Sequence, residues 1–237
     1  MSLEDLWLDP SKCLIDGAWV APAGGEVLPL MNPSTGEQIG EIARGRAADV
    51  DAAVAAARKA YDSVWSRTPA AERGRILMRL KTLVEEKVEA LARIEALDVG
   101  KPLKQARADA VALARYMEFY GGAADKLMGE TIPYLDGYTV YTLREPHGVT
   151  AHIVPWNYPM QIIGRSVGAA LAMGNACVLK PAEEACLTAL AFADIARAAG
   201  LPDGALNVVP GLGAEAGAAL SGHPGAVSYT HLRAHET

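Results

Sequence analysis

The chain has 237 residues, of which 51% are apolar and 21% charged, and its formal net charge is −6. This apolar fraction excludes a disordered chain, which combines low hydrophobicity with high charge. The negative charge and an aromatic content of 6% argue against a nucleic-acid-binding surface, where clustered Lys and Arg or stacking rings are expected.

Targeting and redox signals favour the cytoplasm. The longest apolar stretch, residues 167–179, is interrupted by Gly174 and Asn175 and is too short to cross a bilayer. The N-terminal segment carries acidic residues where a signal peptide would carry Lys or Arg. Three cysteines without a spacing pattern indicate free thiols in a reducing compartment. We therefore predict a cytoplasmic protein with no membrane partner.

Residues 13–43 have the pattern of short strands and turns. The segment CLIDGAWV (13–20) is predicted to pair with EVLPLMNP (26–33) across the loop that contains Gly24 and Gly25. From residue 48 the apolar period becomes that of a helix, which Asp49 is expected to cap.

Two longer helices and a hairpin follow. An apolar stripe from Ile76 to Leu97 predicts one helix that begins after Pro69 and ends at residues 100–102. The same periodicity predicts a helix over roughly residues 103–127. Asp136-Gly137 is a strong two-residue turn signal, which predicts a β-hairpin that is either exposed or a subunit contact.

From Gly148 the chain alternates short apolar strands with helices. The strands are predicted within residues 148–157, 176–181 and 205–211, and the helices within 161–174, 186–200 and 214–223. This alternation predicts an α/β fold with a parallel sheet. Ligands of such sheets bind at the carboxyl ends of the strands. The candidate site therefore lies at residues 155–159, 180–184 and 211–217.

A glycine-rich segment follows the third of these strands and contains Gly211, Gly213 and Gly217. It would let a helix begin with free N–H groups and allow a pyrophosphate to approach closely. Its last spacing is one residue longer than in the dinucleotide-binding fingerprint. The pattern alone leaves nucleotide binding and a simple tight turn both open.

Polar residues follow the first two strands. Glu183 could accept both hydroxyls of an adenosine ribose while Lys180 donates to the same sugar, or the two could form a solvated helix cap. Asn157 lies between Pro155 and Pro159, which restrict the backbone. Its amide could donate to a developing oxyanion, or it could serve only as a turn former.

The remaining candidates predict neither a metal site nor an activated thiol. His231 and His235 are four residues apart, but the segment lacks the Glu of a zincin helix, so we expect a solvated tail and no metal. Cys186 lies near a helix N-terminus, which can lower a thiol pKa, but we expect an inert thiol there. Cys177 lies in a strand and is expected in the core.

Taken together, several segments resemble the NAD(P)-dependent aldehyde dehydrogenase superfamily. The resemblance covers essentially residues 13–230. The segments that carry it occur in the family's order and at its spacing: NPSTGE, EALDVGKP, VPWNYP, GNACVLKPAE, LTAL, AGLPDGALNVVPG and AGAALSGHP. The resemblance implies an α/β, aldehyde dehydrogenase-like fold. In it, an N-terminal helical segment and a β-hairpin oligomerisation arm precede a Rossmann-type parallel sheet that is incomplete.

The resemblance also implies roles for single residues. Asn157 matches the Asn that stabilises the oxyanion. Lys180 and Glu183 match the ligands of the adenosine ribose, and a Glu there goes with NAD rather than NADP because it repels a 2′-phosphate. The other implied cofactor-binding residues are Ile153, Val154, Pro155, Trp156, Ala182, Gly213 and Gly217.

The mechanism that the resemblance implies is covalent. A Cys thiolate attacks the aldehyde, hydride passes to the nicotinamide, and water activated by a Glu hydrolyses the thioester. None of Cys13, Cys177 and Cys186 matches the motif of that Cys, which the family carries in a downstream half. We therefore expect the intact parent to oxidise an aldehyde to a carboxylic acid as a homodimer or homotetramer, and this chain alone to be inactive. The alternative is a non-catalytic fragment that binds NAD or pairs subunits.

The expected domain organisation follows the same pattern. Residues 1–128 supply the N-terminal strands and helices of the cofactor-binding domain, 129–147 the oligomerisation arm, and 148–230 the NAD-binding core. Residues 231–237 depart from the family pattern and are expected to be a foreign or artefactual tail, with the catalytic domain absent.

Overall fold

The computed structural model describes residues 6–226 and 228–231, the last four by their backbone alone. The strands within these residues are β1 Cys13–Ile15, β2 Ala18–Val20, β3 Val27–Met31, β4 Gln38–Ala43, β5 Thr131–Ile132, β6 Val140–Tyr141, β7 Val149–Val154, β8 Ala176–Pro181, β9 Leu206–Val208 and β10 Ser228–His231. The α-helices are α1 Ala47–Ser63, α2 Ala70–Glu86, α3 Val88–Val99, α4 Leu103–Ala123, α5 Pro159–Ala172, α6 Leu187–Ala198 and α7 Ala218–Ser221.

A six-stranded sheet has the order β10-β7-β8-β9-β1-β2. Strands β7 to β10 run parallel, whereas β1 pairs antiparallel with both β9 and β2. β7 and β8 stay in register from Val149↔Ala176 to Val154↔Pro181, so both strands end at the same edge. This mixed, mostly parallel sheet confirms the predicted α/β fold class.

Alternate residues of β8 divide the core into two layers. Ala176 and Val178 lie in one apolar cluster with side chains of α1. Cys177 and Leu179 lie in a second cluster with side chains of α2, α4, α5 and α6. Because helices cover both faces, β7 and β8 have no solvent-facing side, and their sequences are nearly continuous apolar runs.

The N-terminal strands pair differently from the prediction. β1 and β2 form a hairpin closed by Asp16 and Gly17, whose φ angles are 49° and 75°. β3 pairs instead with β4. The predicted pairing of residues 13–20 with 26–33 is therefore wrong, because the Asp-Gly pair inside the first segment forms a two-residue turn of its own.

The predicted helices need three corrections. The single helix expected after Pro69 is two helices, α2 and α3, which meet at Lys87. The helix expected to reach residue 127 ends at Ala123. The helix expected over residues 214–223 is a π-helical turn, Gly213–Gly217, followed by the single turn of α7. None of the helices in the described part of the chain is both long and apolar enough to cross a membrane.

Asp49 caps α1 from inside the helix rather than from the position before it. The N-cap residue is Arg46, whose backbone N–H donates to Asp49 Oδ2 at 2.9 Å. The other carboxylate oxygen accepts the N–H of Ala23 at 2.8 Å. One acidic side chain thus fixes both the start of α1 and the loop between β2 and β3.

The predicted β-hairpin is present but short. β5 and β6 pair through Thr131↔Tyr141 and Ile132↔Val140, and Gly137 at the turn has a φ of 85°. Most of its large side chains are exposed to solvent: Ile132, Tyr134, Leu135, Tyr138, Tyr141 and Leu143. The hairpin therefore presents an apolar surface that the described residues leave uncovered.

Two arginines of α2 bind the C-terminal ends of neighbouring helices. Arg73 Nε donates to the carbonyl of Ala172 in α5 at 3.0 Å, and its Nη1 donates to Thr68 O at 2.6 Å. Arg79 Nε donates to Ala199 O, after α6, at 3.0 Å. These guanidinium groups satisfy carbonyls without intrahelical partners and oppose the negative end of each helix dipole.

Replacing Arg73 with Met should lower the free energy of unfolding by about 1.5–3 kcal/mol, because hydrogen bonds from a charged donor are lost at two carbonyls. Arg75→Met is the matched control, since that arginine is 69% exposed and, among the residues that the structure describes, pairs only with Glu72. The control should change stability by less than about 0.5 kcal/mol. Urea unfolding followed by circular dichroism measures both, and equal losses would show that the helix-end contacts contribute nothing.

Candidate active site

The loops that follow β7, β8 and β9 meet at one edge of the sheet. They comprise residues 155–158, 182–186 and 209–212, and they follow adjacent parallel strands. Every candidate residue proposed from the sequence lies in these loops, at the strand ends before them, or in the turn that follows β9. The carboxyl edge thus brings together segments that are far apart in the chain.

Lys180 and Glu183 form an ion pair at the end of β8. Lys180 Nζ lies 2.7 Å from Glu183 Oε2, and the lysine side chain is only 3% exposed whereas that of Glu183 is 26% exposed. Glu183 Oε1 accepts the backbone N–H of Gly213 at 3.2 Å. Burial opposes ionisation of Glu183, but the hydrogen bond and charge of Lys180 outweigh it, so its pKa lies below the usual value. The site therefore holds a partly accessible, ionised carboxylate.

The glycines after β9 keep the space beside this carboxylate open. A Cβ atom on Gly213 would lie 4.0 Å from Glu183 Oε1, and one on Gly217 would lie 4.0 Å from Lys180 Cδ. Side chains larger than a methyl group would extend into the space next to the ion pair. Gly211 has a different role, because its Cβ would lie 2.4 Å from the carbonyl oxygen of Gly45, where two backbone segments cross.

Arg44, in the N-terminal region, binds the π-helical turn Gly213–Gly217. Its Nε and Nη2 donate to the two carboxylate oxygens of Glu215 at 3.0 and 2.7 Å. The backbone N–H of Gly45 donates to Pro210 O at 2.8 Å. Sequence reasoning missed this contact, because nothing in the local pattern relates residues that are 171 positions apart.

Asp98, in α3, binds the end of the loop that follows β8. Its Oδ2 accepts the N–H of Leu187, the first residue of α6, at 2.8 Å. Burial raises the pKa of Asp98 to about 8, although the hydrogen bond from Leu187 opposes the shift. An apolar pocket of about 400 Å³ adjoins this loop, lined by β3 residues together with Asp98, Glu183 and Leu212. Glu183 thus borders both the polar edge of the sheet and an apolar surface.

Asn157 lies in the turn between β7 and α5. Pro159 is the first residue of α5, where its missing N–H leaves no helical hydrogen bond unmade. Asn157 Oδ1 is buried and has no hydrogen-bond partner among the described residues. A buried amide oxygen without a partner is uncommon in folded proteins and marks a candidate functional group.

Lys101 contacts this turn through its ammonium group, and sequence reasoning predicts no role for it beyond ending a helix. Its Nζ lies 2.8 Å from Glu95 Oε1 and 2.8 Å from Asp109 Oδ2, and donates to the carbonyl of Asn157 at 3.1 Å. The ammonium also lies 4.8 Å from the ring centroid of Tyr158. The turn that carries Asn157 is therefore attached to a buried charged cluster between α3 and α4.

The remaining residues proposed for cofactor binding differ in accessibility. Val154 and Ala182 are buried, Ile153 and Pro155 are partly exposed, and Trp156 is 51% exposed. The structure places these residues at the same edge as Asn157, Lys180 and Glu183. Their contacts with a ligand stay a prediction.

All three cysteines are buried and none is activated. Burial raises the pKa of Cys13 and of Cys177 to about 12. Burial also raises the pKa of Cys186 well above its ordinary value, despite its place at the start of α6. These thiols are protonated at neutral pH, and the core position predicted for Cys177 is confirmed.

Comparison with known proteins identifies the family. Residues 19–230 match the aldehyde dehydrogenase family, and the chain belongs to it. Hydroxyisobutyraldehyde dehydrogenase of Mycolicibacterium austroafricanum is 48% identical over 228 residues, which are 96% of this chain and 45% of that enzyme. The resemblance inferred from the sequence motifs is confirmed.

Solved structures give the same result. A putative aldehyde dehydrogenase from Burkholderia cenocepacia has a TM-score of 0.90 and 65% identity, over 91% of this chain and 45% of that one. The P. syringae indole-3-acetaldehyde dehydrogenase AldA, solved with NAD⁺ and IAA as a C302A mutant, has a TM-score of 0.92 and 38% identity, over 95% and 46% of the two chains. The present chain spans about half the length of the relatives that it matches.

Proposed function

We propose that this chain is the cofactor-binding, N-terminal part of an NAD-dependent aldehyde dehydrogenase whose complete form oxidises an aldehyde to a carboxylic acid. The observation that carries the proposal is the group formed by Lys180, Glu183 and Gly213 at the carboxyl edge of the sheet. Family membership supports it. So do similar structures solved as NAD complexes, PnpE at 40% identity and an enzyme from Bacillus cereus at 40% identity.

The residues at this edge fit the cofactor. Glu183 is ionised and partly exposed, and its two oxygens accept one hydrogen bond each, from Lys180 and Gly213. Because an ionised carboxylate has about four acceptor positions, it can also accept the hydroxyl groups of an adenosine ribose. Lys180 would donate to the same sugar, and the absent side chains of Gly213 and Gly217 leave room for the dinucleotide. The neighbouring surface would be supplied by Ile153, Val154, Pro155, Trp156 and Ala182. We assign NAD rather than NADP, because the Glu183 carboxylate would repel a 2′-phosphate.

Asn157 would supply the electrostatic part of the chemistry. Its side-chain N–H₂ would donate to the aldehyde oxygen as that atom gains negative charge, which stabilises the transition state. NAD, when bound, supplies the hydride acceptor. The family resemblance implies that the attacking thiolate and the Glu that activates water lie in a downstream half. In line with this, all three cysteines here are buried and protonated.

The substrate class that we propose is an aldehyde. Matched relatives carry names for different aldehydes: benzaldehyde dehydrogenase of Antirrhinum majus at 46% identity and retinal dehydrogenase 2 of Homo sapiens at 42%. The exposed hairpin β5–β6 would pair subunits, giving a homodimer or homotetramer of the complete enzyme.

A second function, a non-catalytic fragment that binds NAD or pairs subunits, is favoured for the 237-residue chain alone by its buried thiols. The purified chain should produce no NADH from NAD and an aldehyde. Ellman's reagent should react with none of the three thiols until the chain is unfolded, because burial keeps each thiol protonated and inaccessible. NADH production, or a thiol that reacts in the folded state, would contradict this expectation.

Mutation of Glu183 tests the ribose assignment. The test uses the complete enzyme that we propose, in which this chain continues into a downstream half of the family. There, Glu183→Ser should weaken NAD binding by about 10–10²-fold, because charge-assisted hydrogen bonds are lost. Discrimination against NADP should relax. Glu184→Ser is the matched control, since that neighbouring carboxylate is exposed and should leave both affinities unchanged. Calorimetric titration with each cofactor decides, and an unchanged preference would remove Glu183 from the site.

Mutation of Asn157 tests the oxyanion assignment. Asn157→Ala in the complete enzyme should lower kcat by about 10²–10³-fold, because a donor to the developing charge is removed. The Kd for NAD should change little. Asn157→Asp keeps the size but not the donor and should lose as much activity. Steady-state kinetics with binding measured separately tests this, and full activity in either variant would contradict the role.

A further inference from the structure

Lys101 is a buried cation that contacts two carboxylates and, in addition, one backbone carbonyl. Its side chain is 10% exposed, and those of Glu95 and Asp109 are 0% exposed. The two carboxylates already compensate the ammonium, and their charges outweigh burial and raise the pKa of Lys101. Burial raises the pKa of Glu95, with Lys101 opposing the shift. Lys101 is therefore charged across the physiological range, and its third donor is directed to the carbonyl of Asn157.

The same cluster holds the residues that follow Asn157. The ammonium of Lys101 lies 4.8 Å from the centre of the Tyr158 ring. Asp109 Oδ1 accepts a hydrogen bond of 2.7 Å from Gln161 Nε2, in the first turn of α5, and another of 2.9 Å from Gln105 Nε2. The buried charges of Lys101 and Asp109 thus contact the turn and the first turn of α5 at Asn157, Tyr158 and Gln161.

The backbone of Asn157 is held by a hydrogen bond, whereas its side-chain oxygen is not. Its Oδ1 is buried without a partner among the described residues, so no hydrogen bond to that atom orients the amide. The backbone carbonyl of Asn157 does have a partner, and that partner is Lys101 at 3.1 Å. A fixed peptide plane fixes the position of the Asn157 Cα atom, and with it the point from which the side-chain amide extends.

We propose that Lys101, held by Glu95 and Asp109, is a positioning residue that fixes the backbone of Asn157 so that its side-chain amide faces the reacting aldehyde oxygen. This inference rests on the proposed function, because it needs Asn157 to be the oxyanion donor. In this proposal Lys101 acts through the backbone of Asn157 and not by contact with substrate or cofactor. Its contribution is geometric, and small displacements of a donor reduce turnover strongly.

Lys101→Met in the complete enzyme should lower kcat by about 10–10²-fold, whereas the Kd for NAD stays within about 3-fold, because Glu183 and Lys180 are untouched. Lys101→Arg, which keeps the charge, should recover part of the lost activity. Lys81→Met is the matched control, because that half-buried lysine pairs with Glu85 within α2 and should leave kcat unchanged.

A double-mutant cycle separates positioning from a merely structural role. If Lys101 acts through Asn157, Lys101→Met should lower kcat by less than about 3-fold when Asn157 is already Ala. Equal losses in both backgrounds, or no loss in either, would overturn the inference. Full activity of Asn157→Ala would instead overturn the proposed function, so the two failures are distinguishable. If Lys101→Met does not fold, the same cycle with Asp109→Asn, which keeps the shape of the cluster, gives the same decision.

Discussion

The buried ammonium of Lys180 is the interaction on which the rest of the site depends. The residue is 2% exposed at the end of β8, and a charge in that position is strongly unfavourable unless it is paired. Glu183, three residues later, supplies the partner at 2.7 Å, so the loop folds back over its own strand. The second oxygen of Glu183 accepts the N–H of Gly213 and thereby joins the loop of β8 to the turn after β9. One charge pair determines the relative positions of two loops.

Lys101 plays the corresponding part for the loop after β7. Its carboxylate partners come from α3 and α4, which belong to the N-terminal helical layer and not to the sheet. Arg44 reaches the turn after β9 in a similar way, but its ion pair with Glu215 is about 29% exposed and correspondingly weaker. The N-terminal region therefore shapes the site from outside the strand–helix alternation, through charged groups that contact backbone and acidic side chains.

Much of the fold and part of the site could be predicted from the sequence. β7, β8 and β9 are apolar runs between helical periods, and their loops place Asn157 and Glu183 at one edge by the geometry of parallel strands alone. The Asp16-Gly17 pair is itself a two-residue turn signal, and the hairpin closes there rather than at Gly24-Gly25. The break at Lys87 has no Gly or Pro to mark it, and the two helices on either side of it both pack on α4.

The contacts of Lys101 and Arg44 could not be predicted, for a physical reason. Each side chain meets partners that are distant in sequence, with separations of 56 residues to Asn157 and 171 to Glu215. Local periodicity and turn chemistry carry no information about such pairs. The motif EALDVGKP predicts only that Lys101 follows a helix end. The packed structure shows that its ammonium donates to the carbonyl of Asn157.

A crystal structure of the complete enzyme with NAD tests the central claim most directly. The account predicts that the hydroxyl groups of the adenosine ribose lie within hydrogen-bond distance of the Glu183 carboxylate, with Lys180 donating to the same sugar. The N–H of Gly213 would then donate either to the dinucleotide or, as in this structure, to the Glu183 carboxylate. A ribose bound elsewhere, with the Lys180–Glu183 pair unchanged and uncovered, would contradict the assignment of this edge as the cofactor site.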